Sequence, residues 1–483
     1  MSWEAVRGVS TLVTADAEDR RARRRRLRLE AKALEQLAVD HEEAKTKTAS
    51  SAWKNSTVPA AGRAEPWSGR SRRRLSIRHH TETSHSLGTA NLFLGDTGTA
   101  GRGMLVGKSG GAAWSFDPWD LASQRVVSNS SVLVLGEQNH AKSALVQSLA
   151  LRGQVFGYKS FIPSDSRGEW TPMVQALGGK VLRLEPGGRQ RLNFLAAPHK
   201  PASVSAEDWF PRIRAERIKA LGMVAGAMIG RLANSTEKTS LTSALDMEVS
   251  VTAEGEEPLI QGVVARLIDL KDPALKELID GLRRVCPGGD LAGMFDGPST
   301  DVPDAATPIM SIDLSAFLGD DATMEIVMAC GLAWFSSWAS DPDVGKHWTF
   351  WEEAWRPLRC LAIVEFMEKR LRLAKIYGEV NVIISHHLGD GDVAGDEGSK
   401  LRGLATKVFQ LCGIRVLYKQ KPDQHVRLAQ DLKISQTVLN RIQNHPPGVG
   451  TWLIGGLQPR TVRHEYWTRE EHRFFKKDAA MTG

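Results

Sequence analysis

The chain has 483 residues, of which 42% are hydrophobic and 25% are charged, as in soluble globular proteins. It is long enough for more than one structural unit, but no stretch reaches the roughly 18 apolar residues of a membrane span, and the N-terminus lacks the apolar segment of a secretory signal. We therefore expect a cytoplasmic protein. The isolated cysteines, Cys286, Cys330, Cys360 and Cys412, lack zinc-site spacing and predict reduced, structural thiols.

The net charge of +7 is distributed unevenly. Arginine clusters at Arg20–Arg28 and Arg70–Arg78 suit nucleic acid, an anionic membrane surface or an acidic partner. The alternative interpretation, a solvent-exposed face of a charged helix followed by a basic linker, explains both arginine clusters equally well. The clusters are therefore candidates for DNA contact or for peripheral association with the membrane.

The first 130 residues contain two regions of different character. Residues 14–48 lack Gly and Pro and predict a long charged helix, and residues 49–75 have linker composition, so residues 1–75 form a helical and linker region. Residues 76–130 predict a small module with β-like pieces near Ala90–Phe93 and Met104–Val106.

Strand and helix patterns alternate from residue 131 to residue 205. This alternation predicts βαβ units and a parallel sheet covered by helices on both faces, the α/β class. The predicted elements are strand Val132–Leu135, helix Lys142–Arg152, strand Tyr158–Ile162, helix Thr171–Leu177 and strand Lys180–Leu184.

The segment Ser131–Ala144, SVLVLGEQNHAKSA, has the strand–loop–helix context of a phosphate-binding loop, G-x-x-x-x-G-K-[ST]. In such a loop, backbone N–H groups surround the β-phosphate, and the lysine and serine contact the phosphates and Mg²⁺. Lys142 and Ser143 stand at those positions. The predicted nucleotide-binding residues are Gly136, Glu137, Gln138, Asn139, His140, Ala141, Lys142, Ser143 and Ala144.

The loop departs from the pattern at one position, because Ala141 stands where the second glycine is expected. If the loop needs a positive φ there, the methyl group carries strain. Glu137 also places a carboxylate near the phosphates. An ordinary strand-to-helix turn is the alternative interpretation. A second Gly-Lys-Ser, Gly107–Ser109, lacks the upstream glycine and the following helix.

Residues 206–300 lose strand character and predict an all-α insertion, after which residues 301–483 return to the α/β core. The core is thus split into 131–205 and 301–483. The insertion's helices are predicted at 206–232, 235–246, 257–270 and 273–285. Later strands are predicted at Pro308–Asp313, His347–Phe350, Val380–Ser385 and Ile414–Tyr418, helices at 322–338, 355–377 and 398–411, and a hairpin at Gly450–Ile454 and Gln458–Glu465.

Two acids, Glu352 and Glu353, follow the strand that begins at His347. In phosphate-loop sites the first acid holds Mg²⁺ through water and the second polarises the attacking water. Glu352 is therefore predicted on the Mg²⁺ side with Ser143, and Glu353 as the catalytic base. The alternative is a helix N-terminus at which acids complement the helix dipole.

The strand in Asn381–His387, NVIISHH, ends in polar residues at the edge where open α/β sheets bind ligands. His386 could contact the γ-phosphate or the attacking water. A histidine that only caps the strand is the alternative interpretation. Lys142, Glu353 and His386 are the predicted catalytic residues.

Together these motifs resemble the conjugative type IV secretion ATPases, the TraC-like pilus-assembly class of the HerA–FtsK superfamily, in the compact form of actinobacterial conjugative elements. The resemblance runs from about residue 76 to the end. Its carriers are FDPW (Phe116–Trp119), the phosphate loop, DSRGEW (Asp165–Trp170), GGRQRLNFL (Gly187–Leu195), EEAW (Glu352–Trp355), HHLGDGDVAGDEGS (His386–Ser399), YKQKPDQ (Tyr418–Gln424) and GTWLIG (Gly450–Gly455).

The resemblance implies a RecA-like P-loop NTPase that hydrolyses ATP with Mg²⁺. It also implies a ring, as a hexamer, at the cytoplasmic face of a secretion channel, in contact with channel components. A neighbouring subunit would supply an arginine, for which Arg415 and Arg460 are candidates. The chain departs from the family at catalytic positions, with Ala141 for Gly, Glu352 for Asp and Arg167 for Lys.

Three functions follow from this reading. The first is an ATP-driven motor of conjugative secretion that powers transport of substrates or pilus subunits. The second is a degenerate nucleotide-binding scaffold without turnover, which Ala141 and Glu137 favour. The third is a DNA translocase, suggested by the superfamily and the arginine clusters.

Overall fold

The computed structural model describes residues 103–198, 200, 204–301, 306–339, 341–388 and 399–475. The expectations for residues 1–75, for Ala90–Phe93, for both arginine clusters and for most of His386–Ser399 lie outside these ranges. The strands are β1 (Met104–Ser109), β2 (Ala112–Phe116), β3 (Val132–Leu135), β4 (Lys159–Asp165), β5 (Lys180–Arg183), β6 (Ile309–Asp313), β7 (His347–Trp351), β8 (Glu379–Ser385), β9 (Ile414–Leu417), β10 (Val449–Ile454) and β11 (Arg460–His464).

All of these strands join one sheet in the order β2-β1-β11-β10-β9-β3-β8-β7-β4-β6-β5. From β9 to β5 the neighbouring strands run parallel, whereas β10, β11, β1 and β2 continue the sheet with antiparallel pairs. The predicted α/β class with a parallel-rich central sheet is confirmed. The predicted hairpin near the C-terminus is confirmed as β10 and β11.

Helices cover both faces of the sheet, and none in the described part of the chain combines the length and apolar character needed to cross a bilayer. The helices are α1 (Pro118–Ser123), α2 (Lys142–Gly153), α3 (Thr171–Ala176), α4 (Ala206–Met228), α5 (Ser235–Val251), α6 (Ile260–Asp269), α7 (Lys276–Arg283), α8 (Asp321–Ala339), α9 (Leu361–Tyr377), α10 (Lys400–Leu411), α11 (Pro422–Asp431), α12 (Gln436–Ile442) and α13 (Arg469–Phe475).

Strand β3 shows how the central strands separate two cores. All of its residues are buried, as expected for a parallel strand covered on both faces. Val132 and Val134 face the core that contains α2 and α3, and Leu133 and Leu135 face the core formed with α4 to α10. The continuous apolar run in the sequence therefore reflects burial on both sides of the sheet.

The helices α4 to α7 correspond to the predicted all-α segment. Their apolar stripes, which include Leu221, Leu241, Val263 and Leu278, belong to the same buried cluster as the sheet residues Leu133 and Leu135. The segment therefore packs onto one face of the sheet and shares its core.

The strands β1 and β2 lie in the region predicted as a small separate module, but they extend the common sheet through β11. At Gly107 a β-carbon would lie 1.9 Å from the carbonyl oxygen of Arg463, so only glycine allows this close approach. The second Gly-Lys-Ser therefore belongs to a strand.

Two helix predictions need correction. The helix predicted at 355–377 begins instead at Leu361, because the extended backbone of Cys360, with φ −94° and ψ 113°, separates it from the short turn Pro357–Arg359. The alternative that Glu352 and Glu353 complement a helix dipole is therefore wrong. Helices α1, α11, α12 and α13 had no counterpart in the prediction, since each has at most ten residues and buries no more than three of them.

A buried ion pair links α9 to the sheet. Arg370 Nη2 lies 2.8 Å from Glu379 Oε2, with side chains 6% and 1% exposed, and Thr349 donates to the other oxygen of Glu379. We expect Arg370→Met to lower the free energy of unfolding by about 3–5 kcal/mol, because it leaves a buried carboxylate without its partner. Urea unfolding measures the loss.

The matched control lies two residues away on α9. Arg372 pairs with Glu368 at 2.6 Å, but its side chain is 54% exposed. Arg372→Met should cost less than about 0.5 kcal/mol, since exposed pairs contribute little. Equal losses for the two variants would contradict the assignment of the buried pair.

Candidate active site

Three neighbouring parallel strands deliver the predicted catalytic residues to one edge of the sheet. Strand β3 leads into the loop that ends at Lys142, β8 leads to His386, and β7 leads to Glu353. Because β3, β8 and β7 are consecutive in the sheet, their carboxyl ends open onto one cleft.

The cleft has a volume of about 540 Å³, within the range of small-ligand sites. Seven of the predicted nucleotide-binding residues, from Gln138 to Ala144, line it. Glu352, Glu353 and His386 also line it. The remaining two, Gly136 and Glu137, support the loop from behind.

Gly136 and Glu137 hold the loop against the end of β9. A β-carbon on Gly136 would lie 2.5 Å from Cβ of Tyr418, so glycine is a steric requirement. The backbone N–H of Glu137 donates to the carbonyl of Lys419 at 3.0 Å, and its carboxylate lies 3.9 Å from Lys419 Nζ. Glu137 therefore directs its charge toward Lys419 and not into the cleft.

Ala141 adopts the conformation that glycine prefers. Its φ and ψ are +65° and +28°, in the left-handed region, and Asn139 also has a positive φ of +60°. For a residue with a β-carbon this conformation costs about 1–2 kcal/mol. Ala141 is also the N-cap of α2 and makes no side-chain cap, so the first amides of the helix remain available to an anion.

The Lys142 ammonium is buried within the loop that it follows. It donates to the carbonyl of Gly136 at 2.6 Å, to the carbonyl of Glu137 at 2.8 Å, and to Nδ1 of His386 at 3.1 Å. These contacts hold the positive charge at the floor of the loop.

His386 connects Lys142 to Glu353. Because an ammonium group only donates, Nδ1 of His386 accepts and Nε2 carries the proton. Nε2 lies 3.3 Å from Oε2 of Glu353. The three predicted catalytic residues thus form one continuous polar chain across the ends of β3, β8 and β7.

Glu353 is held as an ionised carboxylate. Burial raises its pKa, but hydrogen bonds from His386 and from Trp355 Nε1, the latter at 2.8 Å, together with the charge of Arg167, lower the pKa to about 2. Its backbone φ of +47° is in the left-handed region, and its side chain lines the cleft. A carboxylate in this state accepts hydrogen bonds at neutral pH.

Glu352 and Ser143 line the cleft as the predicted pair on the Mg²⁺ side. The side chain of Glu352 is buried, and its backbone carbonyl accepts a hydrogen bond from Ser164 Oγ at 3.1 Å, which ties β7 to β4. Carboxylate and hydroxyl oxygens are the donors that Mg²⁺ prefers.

The sequence did not reveal several supporting residues. Asp165 accepts hydrogen bonds from the amides of Glu169 and Trp170 at 2.8 and 3.0 Å, and so fixes the turn that presents Arg167 to the cleft. Gln420, which is buried, donates to the carbonyl of His386 at 3.1 Å. The resemblance had marked the DSRGEW and YKQKPDQ segments, but not these contacts.

The two candidate arginines, Arg415 and Arg460, lie on strands β9 and β11, which β10 separates in the sheet. Arg415, on β9, is half-buried, donates to the carbonyl of Leu432 at 2.9 Å, and has a pKa that burial lowers. Arg460 begins β11 and is exposed. Exposure makes Arg460 the more accessible of the two.

No protein-family model and no curated protein matches the chain. Among solved structures, the chain is similar to VirB4 of Thermoanaerobacter pseudethanolicus, with a TM-score of 0.61 and 18% identity over 77% of this chain and 99% of that chain. It is also similar to the plasmid coupling protein TrwB in complex with the ATP analogue ADPNP, with a TM-score of 0.50 and 13% identity over 75% and 89%. The expected RecA-like P-loop NTPase fold is confirmed.

Replacing Ala141 by glycine tests the strain in the loop. We expect Ala141→Gly to raise the free energy of unfolding by about 0.5–1 kcal/mol, because relief of the left-handed strain exceeds the greater entropy of the unfolded chain. Chemical denaturation measures the change. Ala215→Gly, at an exposed position inside α4, should have the opposite sign and cost about 1 kcal/mol. A loss of stability in both variants would contradict strain at residue 141.

The low pKa of Glu353 predicts a pH dependence of stability. The folded-state pKa lies below the ordinary value of 4.5, so the ionised carboxylate stabilises the fold above pH 4.5, and the contribution is lost as the pH falls toward 2. We expect the advantage of the wild type over Glu353→Gln in urea unfolding to shrink by about 1–2 kcal/mol between pH 5 and pH 3. Glu254→Gln, at an exposed position, controls for the loss of a charge. A difference that is constant with pH would refute the assignment.

Proposed function

We propose that this protein is an Mg²⁺-dependent ATPase that acts as a motor of a conjugative type IV secretion machine. The observation that carries the proposal is the polar chain Lys142–His386–Glu353 in a cleft lined by the loop that joins β3 to α2. The similarity of fold to VirB4 and to TrwB, the latter in complex with an ATP analogue, supports it.

The residues of the cleft suit a nucleoside triphosphate with Mg²⁺. The amides from Gln138 to Ser143 and the N-terminus of α2 would surround the phosphates. Ser143 and Glu352 would hold the metal, directly and through water. When bound, the metal nucleotide supplies the phosphoanhydride bond and shields its charge.

Lys142 is the residue whose bonding must change on binding. Its present acceptors are two neutral carbonyls and an imidazole. Hydrogen bonds to ionised oxygens are about twice as strong, so the ammonium would exchange these acceptors for phosphate oxygens. Nδ1 of His386 then loses its donor, which couples nucleotide binding to the position of the imidazole and of Glu353.

Glu353 is the residue that would orient and polarise the attacking water. Its carboxylate is ionised at neutral pH and is fixed by Trp355 and His386. His386 is protonated on Nε2 in this arrangement, so it holds the carboxylate in place through a donated hydrogen bond. Lys142 would stabilise the charge that develops on the transferred phosphate.

The proposed setting is a ring at the cytoplasmic face of the cell membrane, as a hexamer in contact with secretion-channel components. The nucleotide would lie between subunits, and Arg460 would reach the γ-phosphate of a neighbour, because its side chain is exposed and that of Arg415 is half-buried. In the proposed organisation, a helical and linker region at 1–75 precedes the module 76–130, whose strands β1 and β2 extend the sheet of the split core, 131–205 and 301–483, and residues 206–300 form the helical insertion.

One observation favours a second candidate, a scaffold that binds nucleotide without turnover. The left-handed Ala141 stores strain in the loop that must close around the phosphates. Such a scaffold would bind ATP and release no phosphate. Ala141→Gly would then raise the rate of hydrolysis if that strain is the cause.

Phosphate release by the purified protein with ATP and Mg²⁺ tests the enzyme proposal. We expect Lys142→Ala and Glu353→Gln to lower kcat by about 10²–10⁴-fold, because each removes a group that acts in the transition state. Lys276→Ala and Glu254→Gln, which alter exposed charges outside the cleft, should keep wild-type rates. Wild-type turnover no higher than that of Lys142→Ala would exclude the ATPase, and ATP binding without phosphate release would leave the scaffold.

A further inference from the structure

Part of the cleft lining is built by residues that the proposed phosphate chemistry does not use. They are Ala144 and Gln147 from α2 and Tyr466 and Phe475 from the C-terminal segment. This part combines aromatic rings with a carboxamide, whereas the proposed chemistry uses Lys142, Glu352 and Glu353.

The C-terminal segment is fixed to the phosphate-loop helix by a buried ion pair. Glu471, which is 1% exposed, lies 2.7 Å from Nε of Arg152 on α2. Burial raises the pKa of Glu471, but Arg152 and the amides of Trp467 and Thr468 outweigh it and lower that pKa. The carboxylate therefore stays ionised and caps the start of α13.

Further contacts with α2 fix the position of the segment that joins β11 to α13. Arg152 donates to the carbonyl of Glu465 at 2.7 Å, and His464 Nε2 lies 3.0 Å from Ser148 Oγ. Tyr466, which directly follows Glu465, is thereby held beside α2. Its position is tied to the same helix that carries Lys142.

The aromatic rings of the C-terminal segment form a connected group. The ring centroid of Tyr466 lies 5.6 Å from that of Phe475 and 5.0 Å from that of His472. Tyr466 and Phe475 are both half-buried and face the cleft. Stacking of a nucleic-acid base on such a ring contributes about 1–3 kcal/mol.

Gln147 carries an unsatisfied donor into the cleft. The residue is 3% exposed, and its buried Nε2 has no hydrogen-bond partner among the residues that the structure describes. Leaving such a group unpaired costs about 1–3 kcal/mol, so a ligand that accepts this hydrogen bond gains affinity. A carboxamide presents a donor and an acceptor side by side.

We propose that Tyr466, Phe475 and Gln147 form a nucleobase subsite that selects adenine, an assignment that rests on the proposed nucleotide-binding function. One ring stacks on the base, and the other, whose plane is tilted by 50° to the first, contacts the edge of the base. The carboxamide of Gln147 pairs with N7 and the N6 amino group of adenine, a bidentate match that guanine, which presents the two acceptors N7 and O6 at that edge, does not offer.

Equilibrium binding measured by calorimetry with Mg²⁺ tests the subsite, using ATP, GTP and inorganic tripolyphosphate. We expect the wild type to bind ATP about tenfold more tightly than GTP. Gln147→Leu should bring that ratio close to one. Tyr466→Ala and Phe475→Ala should weaken ATP and GTP alike by about tenfold, and Tyr466→Phe should restore wild-type affinity.

Tripolyphosphate separates a base contact from a structural effect, because it occupies only the phosphate end. Its affinity should be unchanged in all four variants and lost in Lys142→Ala. Phe210→Ala, which removes an aromatic ring 70% exposed on α4, should leave every affinity unchanged.

Three outcomes overturn the subsite. They are an unchanged ATP-to-GTP ratio in Gln147→Leu, unchanged nucleotide affinity in Tyr466→Ala and Phe475→Ala, and equal weakening of ATP and tripolyphosphate in these variants. Failure of the wild type to bind any of the three ligands would instead overturn the proposed function itself.

Discussion

The bonding of the Lys142 ammonium is the interaction on which the rest of the site depends. It gathers the carbonyls of the phosphate loop and reaches His386, which in turn holds Glu353. The charge of Lys142 therefore links, directly or through His386, the loops that follow three different strands. Because lysine only donates, Nδ1 of His386 must accept its hydrogen bond, and the imidazole proton is therefore on Nε2. Glu353 thus faces an N–H donor.

Backbone strain is concentrated around this same group. Of the six non-glycine residues with positive φ in the described part of the chain, Asn139, Ala141 and Glu353 lie in the cleft. Strained conformations persist where the surrounding structure over-determines them, and here the buried Lys142 and the contact of Gly136 with Tyr418 supply that constraint. Ala141 thus adopts a backbone conformation that favours glycine.

Much of the fold and of the site could be predicted from local pattern. The apolar runs of β3, β7 and β8, and the helix after Lys142, follow from continuous burial and from the strand–loop–helix motif. Helices α11 to α13 could not be predicted, because packing against other parts of the chain stabilises them more than their own apolar periodicity does. The start of α9 was predicted too early, since the extended backbone of Cys360, which separates α9 from the turn before it, has no signature in the apolar pattern.

The order of the strands in the sheet cannot be predicted from local sequence patterns. Residues 142, 353 and 386 are far apart along the chain, and they meet because β3, β8 and β7 are neighbours in the sheet. The chemical identities of Lys142, Ser143, Glu352, Glu353 and His386, and the strand ends that present them, are encoded locally, because side-chain type and short-range periodicity are properties of short segments. Only the tertiary fold brings these residues into one polar chain, because long-range strand pairing joins segments that are distant in the sequence. The tertiary fold likewise places Tyr466 and Phe475 at the cleft, because the buried Arg152–Glu471 contact holds their segment against α2.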